Sequence, residues 1–507
     1  MKTIFVMQDS LVRAALGSYG GTKIPTPNFD RLAARGISFD RHYVGSLPCM
    51  PARRELHTGR LNFFHRSWGP LEPFDLSAPE LMQQHNVYSH LVTDHYHYFE
   101  DGGSTYHNRY NSYDFIRGQE WDKWKARVEP PVEDYKANYH PLQFSESRAD
   151  GRLQHLINRD SIRDESDFCT PRTYQAAFEF LDSNREADNW FLQLELFDPH
   201  EPFAAPERFK SMFPTDYEGP ILNWPRYKKV EETPGEIAEL RANYAALVAM
   251  CDEYFGRLLD YMDTHDMWKD TAIVLSTDHG ILLSEHEWWQ KNRMPFYNEI
   301  AHIPLIIYHP DHASRAGERR SALTQTVDLM PTFLEWHGVP VPQGLDAKSL
   351  NPVLENDAPQ REVAVFGMFG SSTNVTDGRY TYFNYPEDML AVDLYEYTLM
   401  PMRQKKLFSA AEFDGAELTR AFEYTNGYPV LKLPALKNAA GQPCGHASQG
   451  PYADTDSRLF DLETDPGQET PIDAPDVVAR LVAGMVDVMR ANEAPAEAFE
   501  RLCVQQQ

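Results

Sequence analysis

Cysteine is scarce in this chain. Five of them, Cys49, Cys169, Cys251, Cys444 and Cys503, are spread over 507 residues. They are too few, too scattered and odd in number for a disulfide framework. Positive charge is also short: 48 Lys and Arg stand against 75 Asp and Glu, a net of −27. So acidic a protein is expected to bind neither nucleic acid nor an anionic membrane surface. An anionic substrate would have to be held by local cations. No apolar run reaches the ~20 residues of a membrane span. The N-terminus offers one lysine and then only Ile4–Met7, too short for a secretory signal core, with no small-residue cleavage site behind it. The expectation is a soluble, cytoplasmic protein. Internal repeats and low-complexity tracts are missing too. What remains is a chain with 42% hydrophobic residues, enough for a large core and more than one domain.

Several short apolar runs stop abruptly at polar residues. Ile4–Met7 ends at Gln8-Asp9-Ser10, Trp190–Phe197 at Asp198-Pro199-His200, and Ala272–Leu275 at Ser276-Thr277-Asp278-His279-Gly280. Ile303–Tyr308 ends at His309-Pro310, and the weaker Val87–Val92 at Thr93-Asp94-His95. Runs of this length read as buried parallel strands. Between them, Asn28–Arg35 (closed by Gly36), Thr173–Leu181 and Ile237–Met262 carry helical patterns. The alternation predicts an α/β fold, a mostly parallel central sheet flanked by helices. In such sheets sites form beyond the carboxyl ends of the strands, which is where the polar residues sit. Residues 119–165, rich in charge, Pro and Trp, read as surface insertions. After about Gly370 the pattern changes to short strands such as Tyr380–Asn384 and Arg458–Leu462. This predicts a larger α/β domain over 1–370 and a smaller C-terminal α+β domain over 371–507.

The stretch GSLPCMPARRELHTGR, Gly45–Arg60, sets a cysteine between two prolines and in front of arginines. Cys49 reads either as a small buried residue in a turn or as a group at a helix N-terminus. Pro51 suits the first turn, and Ala52–His57 can continue the helix. Free N–H groups, the macrodipole, Arg53 and Arg54 would then favour an anion there and make the thiol acidic and reactive. A cysteine-phosphatase loop would need Arg where Glu55 stands, and a carboxylate there would repel phosphate. Asp9, Asp278 and His279 read singly as turn or cap residues. Together at strand ends they suit a divalent metal ion.

Cys49-Met50-Pro51-Ala52-Arg53, followed by Leu56, Thr58 and Gly59, resembles the signature of the type I, formylglycine-dependent sulfatases of the alkaline phosphatase superfamily. The resemblance extends in order through PTPNFDRLAARGISF (Pro25–Phe39), NEIAHIPLIIYHP (Asn298–Pro310), TVDLMPTFLEWHGVPVP (Thr326–Pro342) and LFDLETDPGQE (Leu459–Glu469). It implies an alkaline-phosphatase-like fold and an arylsulfatase-type hydrolase of sulfuric esters. It also implies that a formylglycine-generating enzyme oxidises Cys49 to the aldehyde whose hydrate is the nucleophile. The metal ligands carried over are Asp9, Asp278, His279 and the modified Cys49. Calcium is common in the family; His279, where Asn is frequent, favours manganese or zinc. Arg53 matches the arginine that neutralises the nucleophile. His95 and His97 stand where the family has Lys-x-His, His95 toward the sulfuryl oxygens and His97 toward the nucleophile. In FDPHEPF, His200 matches a catalytic and substrate-binding histidine and proton donor. In HGILLSEHEWWQKN, Lys291 matches a substrate-binding lysine that also stabilises charge.

The family's usual pair of aspartates after the first strand is here Asp9-Ser10. A single aspartate is shared with the phosphonate monoester hydrolase branch. Gly69 and Pro70 near that branch's Asn position, and histidines at 95 and 97, depart from it and favour sulfate esters, with promiscuity toward phosphonate monoesters and phosphodiesters. A small anionic ester is the expected substrate. A homo-oligomer, dimer or tetramer, is expected on family analogy. The contrasting expectation is a non-catalytic binding protein on the same fold; an unmodified cysteine and no bound metal would mark it.

Overall fold

The computed structural model describes residues 1–292, 295–388, 392–435 and 456–504; Cys444 lies outside them. An eight-stranded sheet forms its centre. Its strands are β1 (Lys2–Gln8), β2 (Ile37–Phe39), β3 (Tyr88–Thr93), β4 (Ser112–Phe115), β5 (Trp190–Leu196), β6 (Thr271–Ser276), β7 (Leu305–Tyr308) and β8 (Arg319–Arg320), in the order β8-β2-β7-β6-β1-β5-β3-β4. β1 is buried along its whole length and runs parallel to β5 on one side and β6 on the other. The β5–β3 and β3–β4 pairs are parallel as well. Asp9, Asp278-His279, Asp94-His95 and Asp198–His200 therefore all emerge at one edge of the sheet.

The run Ile303–Tyr308 departs from expectation. It forms β7, antiparallel to both β6 and β2. An apolar run reports burial and not direction. Between β6 and β7 the described chain holds two-residue strands and single helical turns, not the crossover helix that a parallel return uses.

Side chains of β1 alternate between two cores. Ile4 and Val6 face α1 (Pro27–Arg35), α4 (Cys169–Ser183) and α5 (Pro234–Thr264). Phe5 and Met7 face α2 (Cys49–Thr58) and α6 (Leu329–Trp336). Helices on both faces follow from strands that are apolar on both faces. α5 begins with Thr233 as cap and Pro234 in the first turn; Glu236 accepts from the Thr233 N–H at 2.7 Å, closing a capping box.

Residues 119–165 are largely exposed or half-buried, as surface insertions are expected to be, but not throughout. Glu120, Asp122 and His155 are buried, and α3 (Gly151–Arg159) buries Leu153, Leu156 and Ile157. Outside α3 the buried residues of the segment are isolated and lack a common period, which hid their burial in the sequence. Among the described residues no helix is long and apolar enough to cross a membrane.

A four-stranded antiparallel sheet, β9 (Ala364–Gly367), β10 (Thr373–Thr376), β11 (Tyr380–Asn384) and β15 (Arg458–Asp461), packs on α7 (Pro475–Ala491). Its first strand lies ahead of residue 370. A three-stranded sheet runs β12 (Tyr395–Thr398), β14 (Val430–Pro434), β13 (Glu417–Thr419). Arg66 joins this region to the larger one, its guanidinium 3.3 Å from Glu396 on β12 and 3.2 Å from Glu72.

Candidate active site

Cys49 is the first residue of α2, at the end that lacks internal acceptors for its N–H groups. Its Sγ lies 3.2 Å from His279 Nε2. The potential ligand atoms of Asp9, Cys49, Asp278 and His279 all lie within 4.8 Å of one another, and all four residues are buried. The donor set of two carboxylates, an imidazole nitrogen and the Cys49 position fits one divalent ion. His279 Nδ1 donates to the Gly280 carbonyl at 3.0 Å, leaving the Nε2 lone pair free toward the cluster.

Arg53 lies one helical turn beyond Cys49, completely buried, and reaches three strand ends. Its Nε donates to Glu195 on β5 at 2.8 Å, and its terminal nitrogens to Asp9 at 2.8 Å, to Asp278, and to the Cys49 carbonyl at 3.0 Å. A planar guanidinium fork is needed to serve acceptors in several directions. Burial pushes the Asp9 carboxyl up, but Arg53, Lys291 and His279 outweigh it and hold it at about 2. The same surroundings act oppositely on sulfur. Burial, Asp9 and Asp278 drive the Cys49 thiol well above its ordinary value. The expected acidic, reactive thiol is therefore not what the fold builds. The arginines expected to activate it are spent on carboxylates, Arg53 on three and Arg54 on Asp75 at 2.7 Å. Glu55 is turned away from this pocket, with Oε2 accepting from the Ser46 N–H.

Lys291 Nζ donates to Ser10 Oγ at 2.8 Å and lies 3.3 Å from Glu201 Oε2. Ser10 Oγ donates to Asp9 at 2.8 Å, so Lys291 couples to the ligand cluster through the residue that replaces a second aspartate. Burial lowers the lysine's pKa, but Glu201 and the groups around Cys49 outweigh it and keep the ammonium charged. His200 Nδ1 sits 2.5 Å from the Glu201 carbonyl. Burial, and then the Lys291 charge, push it well below its usual range. The imidazole is neutral, with its proton on the carbonyl side, so in this state it cannot donate from Nε2. His97 Nδ1 lies 2.7 Å from Glu100 Oε2, and burial pushes it down. Both ring nitrogens of His95 are buried without a partner. Burial first, then Arg53, His97, His200 and Lys291, hold it neutral. The His97 turn is anchored from far along the chain: Gln404 donates its side-chain N–H to the His97 carbonyl, and its backbone carbonyl accepts from the Gly102 N–H at 2.9 Å.

Four carboxyl groups here, and Tyr227, escaped sequence reading. Glu195 sits in an otherwise apolar strand, and a lone acid in such a run was the available signal. Tyr98 donates to its Oε2 at 2.8 Å. Glu201 lay unnoticed inside FDPHEPF and receives the Tyr227 hydroxyl. Glu120 receives Tyr96 at 2.6 Å and is pushed up to about 8, by burial and by Glu201. Asp94 escaped as well, at the end of a strand read only for its histidines. Trp289 is core, its Nε1 donating to Glu232 at 2.7 Å.

A nucleophile position at a helix end, a two-carboxylate ligand cluster and buried cations at one edge of a mixed α/β sheet are the parts that a metal-assisted hydrolase of anionic esters needs. A sulfatase family model matches residues 2–339, more than half of the chain, and one described as N-sulphoglucosamine sulphohydrolase, C-terminal, matches 284–419. The chain belongs to the sulfatase family. It is 27% identical over 407 residues to an N-acetylglucosamine-6-O-sulfatase of Bacteroides thetaiotaomicron, covering 70% of this chain and 71% of that one. It is 25% identical over 494 residues to a choline-sulfatase of Rhizobium meliloti, covering 87% and 93%. The phosphonate monoester hydrolase of Agrobacterium radiobacter superposes with a TM-score of 0.63 at 18% identity, covering 97% of this chain and 96% of that one.

Proposed function

We propose that this protein hydrolyses small sulfate monoesters with Cys49, oxidised to formylglycine, as the nucleophile precursor. The observation that carries the reading is the Cys49 side chain at the N-terminus of α2, at contact distance from His279 and clustered with Asp9 and Asp278. When bound, a divalent ion supplies a Lewis acid and the aldehyde hydrate supplies an oxygen nucleophile. Asp9, Asp278, His279 and residue 49 would hold the ion. Two carboxylates beside an imidazole, with Ser10 in place of a further acid, favour manganese or zinc over calcium.

The remaining work falls to this chain's own groups. Arg53 neutralises Asp9 and Asp278 and keeps them fixed. Lys291 and His95 face the sulfuryl oxygens, and Lys291 offsets their charge. His97, oriented by Glu100, would accept the proton of the remaining hydroxyl on residue 49 when sulfate is expelled and the aldehyde returns. His200 gives the leaving alcohol its proton. Because His200 is neutral here, it acts as acid only after the bound anion raises its proton affinity. Kinship to an N-acetylglucosamine-6-O-sulfatase and a choline-sulfatase supports a sulfate ester of a small alcohol or sugar. The single aspartate at position 9 favours secondary phosphonate monoester and phosphodiester turnover. Maturation by a formylglycine-generating enzyme, a cytoplasmic site of action and a dimeric or tetrameric state complete the proposal.

The test is the mass of the tryptic peptide His42–Arg53 from a host with the modifying enzyme, together with turnover of 4-nitrophenyl sulfate and a phenyl phosphonate monoester. An aldehyde at residue 49 and faster sulfate turnover are expected. An intact thiol with no turnover refutes the reading, and faster phosphonate turnover reverses the substrate preference.

A further inference from the structure

Behind the histidines lies a pair of carboxyl groups that the reaction above does not use. Asp94 ends β3 and directly precedes His95; Asp198 follows β5 and lies two residues before His200. Both are buried. Gln119 Nε2 bridges them, 2.9 Å from Asp94 Oδ2 and 3.3 Å from Asp198 Oδ1. Asp94 Oδ1 accepts from the Phe197 N–H at 2.7 Å, across to the β5 turn. Thr170 on α4 donates to Asp198 Oδ2 at 2.6 Å. Phe197 in turn packs against both imidazoles, its ring centroid 5.3 Å from that of His95 and 4.2 Å from that of His200.

We propose that Asp94 and Asp198, bridged by Gln119, are positioning residues for the reaction: they fix the turn carrying His95 relative to the turn carrying His200. The inference rests on the sulfatase reading, which gives those histidines their work. Two carboxylates bridged by one amide in a buried space repel each other unless one of them holds a proton. Burial and the Asp198 charge push Asp94 up, to about 8, and burial also raises Asp198. The titratable groups that face the pair are Arg159 from α3, which favours the Asp198 charge, and the thiols of Cys169 on α4 and Cys251 on α5, which burial keeps neutral. One retained proton thus makes the brace cohesive near neutral pH. Its loss as pH rises through about 8 leaves two facing charges that spread the turns.

The test is the pH profile of kcat/KM for 4-nitrophenyl sulfate with the metal-loaded, formylglycine-bearing enzyme, wild type beside Asp94→Asn and Asp198→Asn. An amide cannot ionise, so either Asn variant removes one of the two charges permanently, and Gln119 can turn its carbonyl toward the new N–H. Wild type is expected to lose activity on the alkaline side. The Asn variants should move that limb up by about one pH unit or more, whatever share of the near-neutral turnover they retain. Glu120 also rises to about 8, so the variants, not the position of the limb, make the assignment. Should one variant fail to fold, the other carries the same comparison. Turnover with a limb that both Asn variants leave in place overturns the brace and spares the sulfatase reading. No turnover by any of the three, with the aldehyde present, overturns both.

Discussion

Arg53 gives the sharpest test of how this site is held. It donates to Glu195, Asp9, Asp278 and the Cys49 carbonyl from a fully buried position. Replacing it with methionine would strand three carboxylates without their cation, at a cost of about 3–5 kcal/mol or loss of folding, and so would not separate function from stability. Arg53→Lys keeps the charge. An ammonium is a point donor and cannot span from Glu195 on β5 to Asp9 and Asp278 after β1 and β6. Two charge-assisted hydrogen bonds are lost, about 3 kcal/mol at the lower end of their usual range. If that loss falls on the orientation of Asp9 and Asp278, it is about two decades in kcat/KM. If it falls on folding, it appears in the thermal midpoint. The assay is kcat/KM for 4-nitrophenyl sulfate, with bound metal measured by mass spectrometry and unfolding by calorimetry on the same samples. An Arg53→Lys protein within about threefold of wild type in kcat/KM, under 1 kcal/mol, and unchanged in midpoint and metal content, would show that the three-way fork is not what holds the site.

Asp278→Asn should lower bound metal at least about tenfold at equal protein, read as metal per chain after dialysis; full occupancy would remove Asp278 from the ligand set. Glu55 is buried and pushed up to about 8, chiefly by burial. Its folded pKa exceeds the unfolded one, so its contribution to stability is complete below about pH 4.5 and is lost as pH rises through about 8. The loss runs at up to about 1.4 kcal/mol per pH unit between those limits. The difference in unfolding free energy between wild type and Glu55→Gln should therefore fall from pH 5 to 8; a constant difference refutes it. Thr233→Ala, which removes the α5 cap, should cost about 1 kcal/mol of stability with unchanged kcat/KM.

Much of the sheet was legible because its strands are apolar on both faces and end in polar clusters. Residues 4–7, 190–197 and 272–275 lie within β1, β5 and β6 apart from Phe197, and their trailing residues meet at one edge. Direction was not legible for β7, since burial carries no polarity of the chain. Asp9, Cys49, Asp278 and His279 were readable because each follows a strand or opens a helix, and Arg53 because it stands in the Cys49-Met50-Pro51-Ala52-Arg53 signature. Glu195 was not, for it lies inside a strand where alternation offered no outward face. Gln119 and Glu120 were not, because no periodicity around them marks which side chains turn inward; Gln119 is half-buried and Glu120 buried. The thiol was misjudged because charges near in sequence were counted as free. Three-dimensional neighbours, the carboxylates, had already claimed them.

The grip of Gln404 on the His97 turn has a bearing on how the protein is made. During synthesis the central strands up to β7 can leave the ribosome and pair long before residue 404 exists. The turn bearing His97 then lacks the two hydrogen bonds that anchor it. A nascent chain can thus own a finished sheet and an unfinished site, and it reaches its working shape only late in translation. A fragment that stops short of residue 404 would be arrested at that same stage, however well its sheet were formed.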